Sequence, residues 1–195
     1  MPAHRSTRLA ICCTLLAMIA LPSLAQTGKA PPARDATLYD AAVFNDRAAV
    51  ERLLARDPAS VNQGDQWGFT PLHGVAGEEH TAMARLLIAR GANVNASNGE
   101  GITPLHAAAS PAMVKLLIEA GAHIDARDRS GNSPLHIATE HPEMLDVMAQ
   151  MLKMGANPNA ANKAGETPLD VALMRQERAK VALLRRHGAQ RGNAK

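Results

Sequence analysis

Apolar residues along this chain come in short clusters, and most of the clusters read as helices. Leu38, Ala41 and Ala42, and then Val50, Leu53 and Leu54, fall at helical spacing. From residue 68 onward a fixed punctuation appears. Gly68-Phe69-Thr70-Pro71-Leu72-His73 recurs as Gly101-Ile102-Thr103-Pro104-Leu105-His106 and as Gly131-Asn132-Ser133-Pro134-Leu135-His136. A drifted copy follows at Gly165-Glu166-Thr167-Pro168-Leu169-Asp170. The Thr and Ser positions are 33, 30 and 34 residues apart. Such a period predicts stacked helical repeats.

Each copy predicts a turn and two helices. The glycine gives the backbone freedom a tight turn needs. Thr or Ser is a natural N-cap, and Pro takes the first helical position, where its missing N–H costs nothing. Leu72, Leu105, Leu135 and Leu169 then point into the stack. A second helix closes each unit with an apolar pair: Leu86-Leu87, Leu116-Leu117, Met151-Leu152 and Leu183-Leu184. Gly91, Gly121, Gly155 and Gly188 stop these helices.

The hexapeptide, the Leu-Leu pair, and Gly91-Ala92-Asn93-Val94-Asn95 or Gly121-Ala122-His123-Ile124-Asp125 resemble the ankyrin repeat consensus. The match runs over roughly residues 37 to 190. The resemblance implies an all-α solenoid of about five helix-turn-helix units with projecting β-hairpin turns. Residues 37–64 lack the Thr-Pro-Leu-His element and read as an N-terminal cap, with Asp57-Pro58 as a helix break. Internal units are expected at 65–97, 98–127 and 128–161, and a C-terminal cap at 162–190, within a domain of 37–195. The helices of the second unit are predicted at Pro71–Gly77 and Thr81–Arg90. The third unit is short because Ser110 caps its second helix directly and Pro111 opens it. Pro142 is expected to open a longer second helix up to Met154 in the fourth. Arg175, Arg178, Lys180, Arg185 and Arg186 are expected on a solvent-facing outer helix in the last.

The first 25 residues read differently. His4, Arg5 and Arg8 precede an apolar run from Leu9 to Leu21, and Ser23 and Ala25 are small. This predicts a secretory signal peptide cut after Ala25. The run is short for an uncleaved membrane anchor, and Ile11 before Cys12 argues against a lipid-anchored cysteine. No stable membrane anchor is therefore expected after cleavage. Residues 26–36, with Pro31-Pro32, form a polar linker. Both cysteines, Cys12 and Cys13, leave with the signal, so the remaining fold needs no disulfide. Arg5 and Arg8 leave too, which brings 21 basic residues down to 19 against 18 acidic ones. A nearly neutral chain gives no electrostatic support for nucleic-acid binding. Charge is nonetheless uneven: net −4 from Gln26 to Asn162 and net +5 from Lys163 to Lys195. That reads as a solvated basic cap, or as an end that meets an acidic partner or an anionic surface.

His73, His106 and His136 invite a metal, but they fall one per repeat. Stacked helices lie about 8–10 Å apart and zinc–nitrogen bonds are about 2 Å. The resemblance implies instead that they tie neighbouring turns together. His80, His123 and His141 lack helical pairing, and no nucleophile elbow, phosphate loop or His-Glu-x-x-His motif occurs. No cofactor, metal or catalytic residue is expected. The resemblance implies a concave binding face formed by hairpin tips and inner helices. Its candidate residues are Gln66, Trp67, Phe69, Glu100, Ile102, Arg129, Ser130, Asn132, Lys163 and Glu166, with Glu78 and Glu79 in the adjoining inter-helix loop. Trp67 and Phe69 either stand free as anchors or fold back on the inner helix. The reading is a monomeric, non-enzymatic protein-binding module in the periplasm or secreted. It would act as a scaffold or stabiliser of an exported enzyme, or as a toxin inhibitor or immunity protein. The alternative is a small exported ligand- or metal-binding protein or hydrolase that uses solenoid-face histidines.

Overall fold

Thr70, Ser133 and Thr167 each take extended backbone and are followed by Pro at the first helical position, and a helix begins at every one. The structure, a computed structural model, describes residues 37–192. The expected signal peptide, its cut after Ala25 and the linker at 26–36 lie outside the described residues. Nine α-helices form among those described. They are α1 (Leu38–Val43), α2 (Arg47–Arg56), α3 (Pro71–Gly77), α4 (Thr81–Ala89), α5 (Pro111–Glu119), α6 (Pro134–Glu140), α7 (Leu145–Lys153), α8 (Pro168–Met174) and α9 (Arg178–Arg186). A 3-10 turn, Pro58–Asn62, follows α2.

The helices stack in two rows. Inner helices pack on inner helices, α1 on α3 and α6 on α8. The outer row runs α4, α5, α7, α9, and each pair closes on itself. Leu72, Leu105 and Leu135 are fully buried between the rows, and so are Leu87, Leu117 and Met148. Burying each such side chain contributes about 2 kcal/mol. No single helix pair could shelter them alone, which is why the units must stack.

The third unit departs from the pattern. Its inner segment, 103–109, forms no α-helix. It is closed by shorter-range bonds, with the N–H groups of His106, Ala107 and Ala108 donating to the carbonyls of Thr103, Pro104 and Leu105. With three residues fewer, the segment runs straight into Ser110, whose hydroxyl caps α5 from the Met113 N–H at 3.3 Å. The Ala109 N–H is satisfied instead by the Ala76 carbonyl of the preceding unit, 3.1 Å away.

Three more expectations are corrected. Pro142 does not open α7. It lies exposed in the connecting bend, Met144 is buried at the N-cap position, and the helix begins at Leu145. Nor is Lys180 solvent-facing. It is 1 % exposed, and its ammonium donates to the carbonyls of Ala138, Thr139 and His141, at and just past the end of α6. Helix C-termini leave carbonyls unpaired and carry partial negative charge, so a buried cation is tolerated there. Burial lowers the Lys180 pKa, and Glu177 and Glu143 pull it back. Arg175 belongs to the end of α8, not to the outer helix.

The N-terminal cap is less degenerate than it reads. Thr37 caps α1 and forms a reciprocal box with Asp40, as Thr167 does with Asp170 in the last unit. Both ends thus carry Asp where the second to fourth units carry His.

Candidate functional site: the row of hairpin tips

Between units the chain makes a tight hairpin, opened by Asp65, Asn98, Asp128 and Asn162. Each of these residues accepts bonds from the far arm of its own turn. The Asn98 Oδ1 takes the N–H groups of Glu100 and Ile102, both at 2.9 Å. The Asp65 Oδ1 takes those of Trp67 and Phe69, also at 2.9 Å. Short Asx side chains do this because they mimic a backbone carbonyl two residues on. Each hairpin is also closed by two backbone bonds, such as Asp65 N–H to the Phe69 carbonyl at 3.0 Å and Gly68 N–H to the Asp65 carbonyl at 2.9 Å. That is too little pairing for a strand, and none is formed among the described residues.

The tips bond to one another. The Gly99 N–H donates to the Trp67 carbonyl at 3.2 Å, Arg129 to Glu100 at 2.8 Å, and Lys163 to Ser130 at 2.9 Å. Four turns are thereby locked into one edge. Behind them the histidines join each unit to the next. The Thr70 N–H donates to His73 Nδ1 at 3.1 Å, so the ring proton sits on Nε2 and is given to the Ile102 carbonyl at 3.0 Å. His106 reaches the Asn132 carbonyl and His136 the Glu166 carbonyl in the same way. Burial pulls all three below the ordinary imidazole value, His73 to about 4, against the opposing pull of the backbone bonds. They are neutral structural ties. Among the described residues no three His, Cys, Asp or Glu gather as a metal site.

Asp170 plays this part in the last unit. Burial alone would raise its pKa, but hydrogen bonds from Thr167, Gly192 and Arg191 hold it below the usual carboxylate value. The Gly192 N–H is 2.7 Å away and Arg191 Nε 3.2 Å. The C-terminal tail therefore stands where a further hairpin would be.

The candidate residues divide by position. Gln66, Glu100, Arg129, Ser130 and Lys163 occupy the tips proper and are exposed, and Trp67 is half-buried among them. Arg129 and Glu100 form an ion pair at 2.8 Å, with both side chains more than half exposed. The second-arm residues face the stack. Phe69 sets its ring edge-on to His73, 5.6 Å between centroids, so it folds back on the inner helix. Ile102 is 8 % exposed, so its side chain is not on the face at all. Asn132 bonds Asp128 and Asn162, and Glu166 bonds Asn162. Glu78 ends α3 and is half-buried, which raises its pKa against the pull of His80. Glu79 makes the following turn with φ of +61°.

Sequence reading missed three features. Phe44, 57 % exposed, ends the inner helix of the first unit, and Met174, 61 % exposed, ends that of the last. The third is a second seam on the opposite loops. Asn62 donates to the Gly91 carbonyl and accepts from the Asn93 N–H, Asn95 does the same with Gly121 and His123, and Asn159 with Gly188 and Gln190. The recurrence of Asn at these loops was the available signal.

A row of rigid turns before a row of short helices defines a repeat solenoid that presents its edge. The family model for ankyrin repeats in three copies matches residues 38–128 and 110–194. The chain belongs to the ankyrin repeat family. No curated protein matches it. Ankyrin repeats generally mediate protein–protein interaction and are typically without enzymatic activity.

Proposed function

We propose that this chain is an exported, non-enzymatic module that captures a folded protein partner on its hairpin-tip edge. The observation that carries this reading is the locked row of tips: cross-tip backbone bonds hold Gln66, Trp67, Glu100, Arg129, Ser130 and Lys163 on one rigid edge. A surface ordered before it meets its partner forfeits little conformational entropy on binding. Export to the periplasm, or secretion, rests on the basic start, apolar run and small residues of positions 4–25. No helix among the described residues is long and apolar enough to cross a membrane. A scaffold for an exported enzyme and an inhibitor of a toxin would both use such an edge.

The test is affinity capture from a periplasmic extract with the wild-type chain and a Gln66→Ala/Trp67→Ala/Arg129→Ala variant, with mass spectrometry of what is retained. Loss of one stoichiometric protein in the variant, at unchanged thermal midpoint, supports the reading. Equal retention by both removes the tips from the interface.

A further inference from the structure

Among the described residues nothing stacks on the outward face of the last helix pair, the surface on which another unit would stack. An open groove of about 500 Å³ lies there, lined by Leu173, Gln176, Arg178, Val181, Ala182 and Arg185. Register shows what the surface is. Val181 stands in α9 where Met148 stands in α7, Val114 in α5 and Ala84 in α4, and those three, each in a unit with another stacked after it, are fully buried. Val181 is only partly buried. Leu173 likewise matches Thr139 and Ala76, both fully buried, and is itself only partly so. The floor of a stacking surface has been kept.

Its rim has been changed. Arg178 and Arg185 occupy the positions of Leu145 and Leu152. They are seven residues apart on one helix, about 10 Å along its axis and on one face. Both are exposed, and neither forms an ion pair with a carboxylate among the described residues. A polar cap would remove the apolar floor as well. Apolar floor with two guanidinium groups at helical spacing suits a helix whose apolar stripe is flanked by carboxylates, since Arg pairs with carboxylates bidentately. The linker at 26–36 carries Lys29 and Arg34 against Asp35 alone, so it is not complementary. A concave groove also fits inserted side chains better than it fits a flat lipid surface.

We propose that the C-terminal end of the solenoid is a second docking surface, which takes an acidic amphipathic helix from a protein partner in the place of a sixth unit. The proposal does not depend on the tip edge. Its test uses the chain without residues 1–25 and a synthetic amphipathic helical peptide, with leucines along one stripe and glutamates spaced as Arg178 and Arg185 are. Fluorescence anisotropy should show binding that weakens with added salt and falls about tenfold or more in Arg178→Glu/Arg185→Glu. Arg178→Gln/Arg185→Gln, milder in its effect on folding, should show a smaller loss in the same direction. A Gln66→Ala/Trp67→Ala/Arg129→Ala variant should bind the peptide as wild type does, which separates this surface from the tips. Absence of binding would overturn the proposal. So would equal binding of a lysine-for-glutamate peptide, binding of phosphatidylglycerol vesicles but not the peptide, or self-association of the chain through this face.

Discussion

The Lys180 ammonium donates to the Thr139 carbonyl at 2.9 Å, from the outer helix of the last unit to the inner helix of the one before. One side chain thus caps α6, holds the bend at His141 and joins the fifth unit to the fourth. Lys180→Met keeps the apolar stem and removes the donor, leaving buried carbonyls unpaired. The expected cost is about 1–3 kcal/mol. Urea unfolding should show it as a lower midpoint with the largest effect in the C-terminal unit. No change would mean the carbonyls find other donors.

The buried histidines set an acid limit. His73 has a folded value of about 4 against 6.5, so between these the unfolded chain binds more protons and stability falls with acidity. Stability from this group is full above about pH 6.5 and lost as pH falls toward 4, a swing of about 3 kcal/mol. His106 and His136 shift in the same direction. Urea midpoints measured across this window should drop steeply. His73→Gln/His106→Gln/His136→Gln should be less stable at neutral pH and lose most of the slope through the window, what remains including His141, whose pKa burial also lowers.

The second seam has a gap. Asp125 accepts from the Asn157 N–H at 3.0 Å, as its Asn counterparts do, but has no amide to give the Gly155 carbonyl. Asp125→Asn should supply it and stabilise the fold by about 0.5–1 kcal/mol, seen as a raised thermal midpoint. A lowered midpoint would refute the seam.

Gly131 and Gly121 both have left-handed backbone, φ +79° and +93°. A Cβ at Gly131 would lie 2.9 Å from the Lys163 nitrogen, whereas one at Gly121 meets nothing within 4 Å. Gly121→Ala should cost about 1–2 kcal/mol for conformation alone. Gly131→Ala should cost at least about 1 kcal/mol more and loosen the Lys163–Ser130 bond, measurable as faster amide exchange at Lys163.

Much of this is legible in the sequence. Thr70-Pro71, Ser133-Pro134 and Thr167-Pro168 mark helix starts because cap chemistry is local, and Ser110-Pro111 revealed the shortened unit for the same reason, but Thr103-Pro104 carries the same signal and opens no α-helix, since its segment runs straight into Ser110. Tertiary contacts outside the repeat pattern were not legible. Lys180 reads as solvent-facing because its partners, carbonyls some 40 residues away, leave no mark in side-chain pattern. Pro142 carries a helix-start signal, yet the extra residues of that unit are used in a bend that lets Met144 bury. At the tips the spacing located the turns but not which way each side chain points. Ile102 and Phe69 sit on arms whose carbonyls or rings meet the histidines, and Gln66 and Glu100 do not.

Hydroxyl-radical footprinting of the captured complex tests the central claim most directly. Partner binding should protect Trp67 and the side chains of Gln66, Arg129 and Lys163 from oxidation, while Leu86 and Ile118 on the outer helices keep their free-chain reactivity. Protection confined to the outer helices, with Trp67 as reactive as in the free chain, would contradict it.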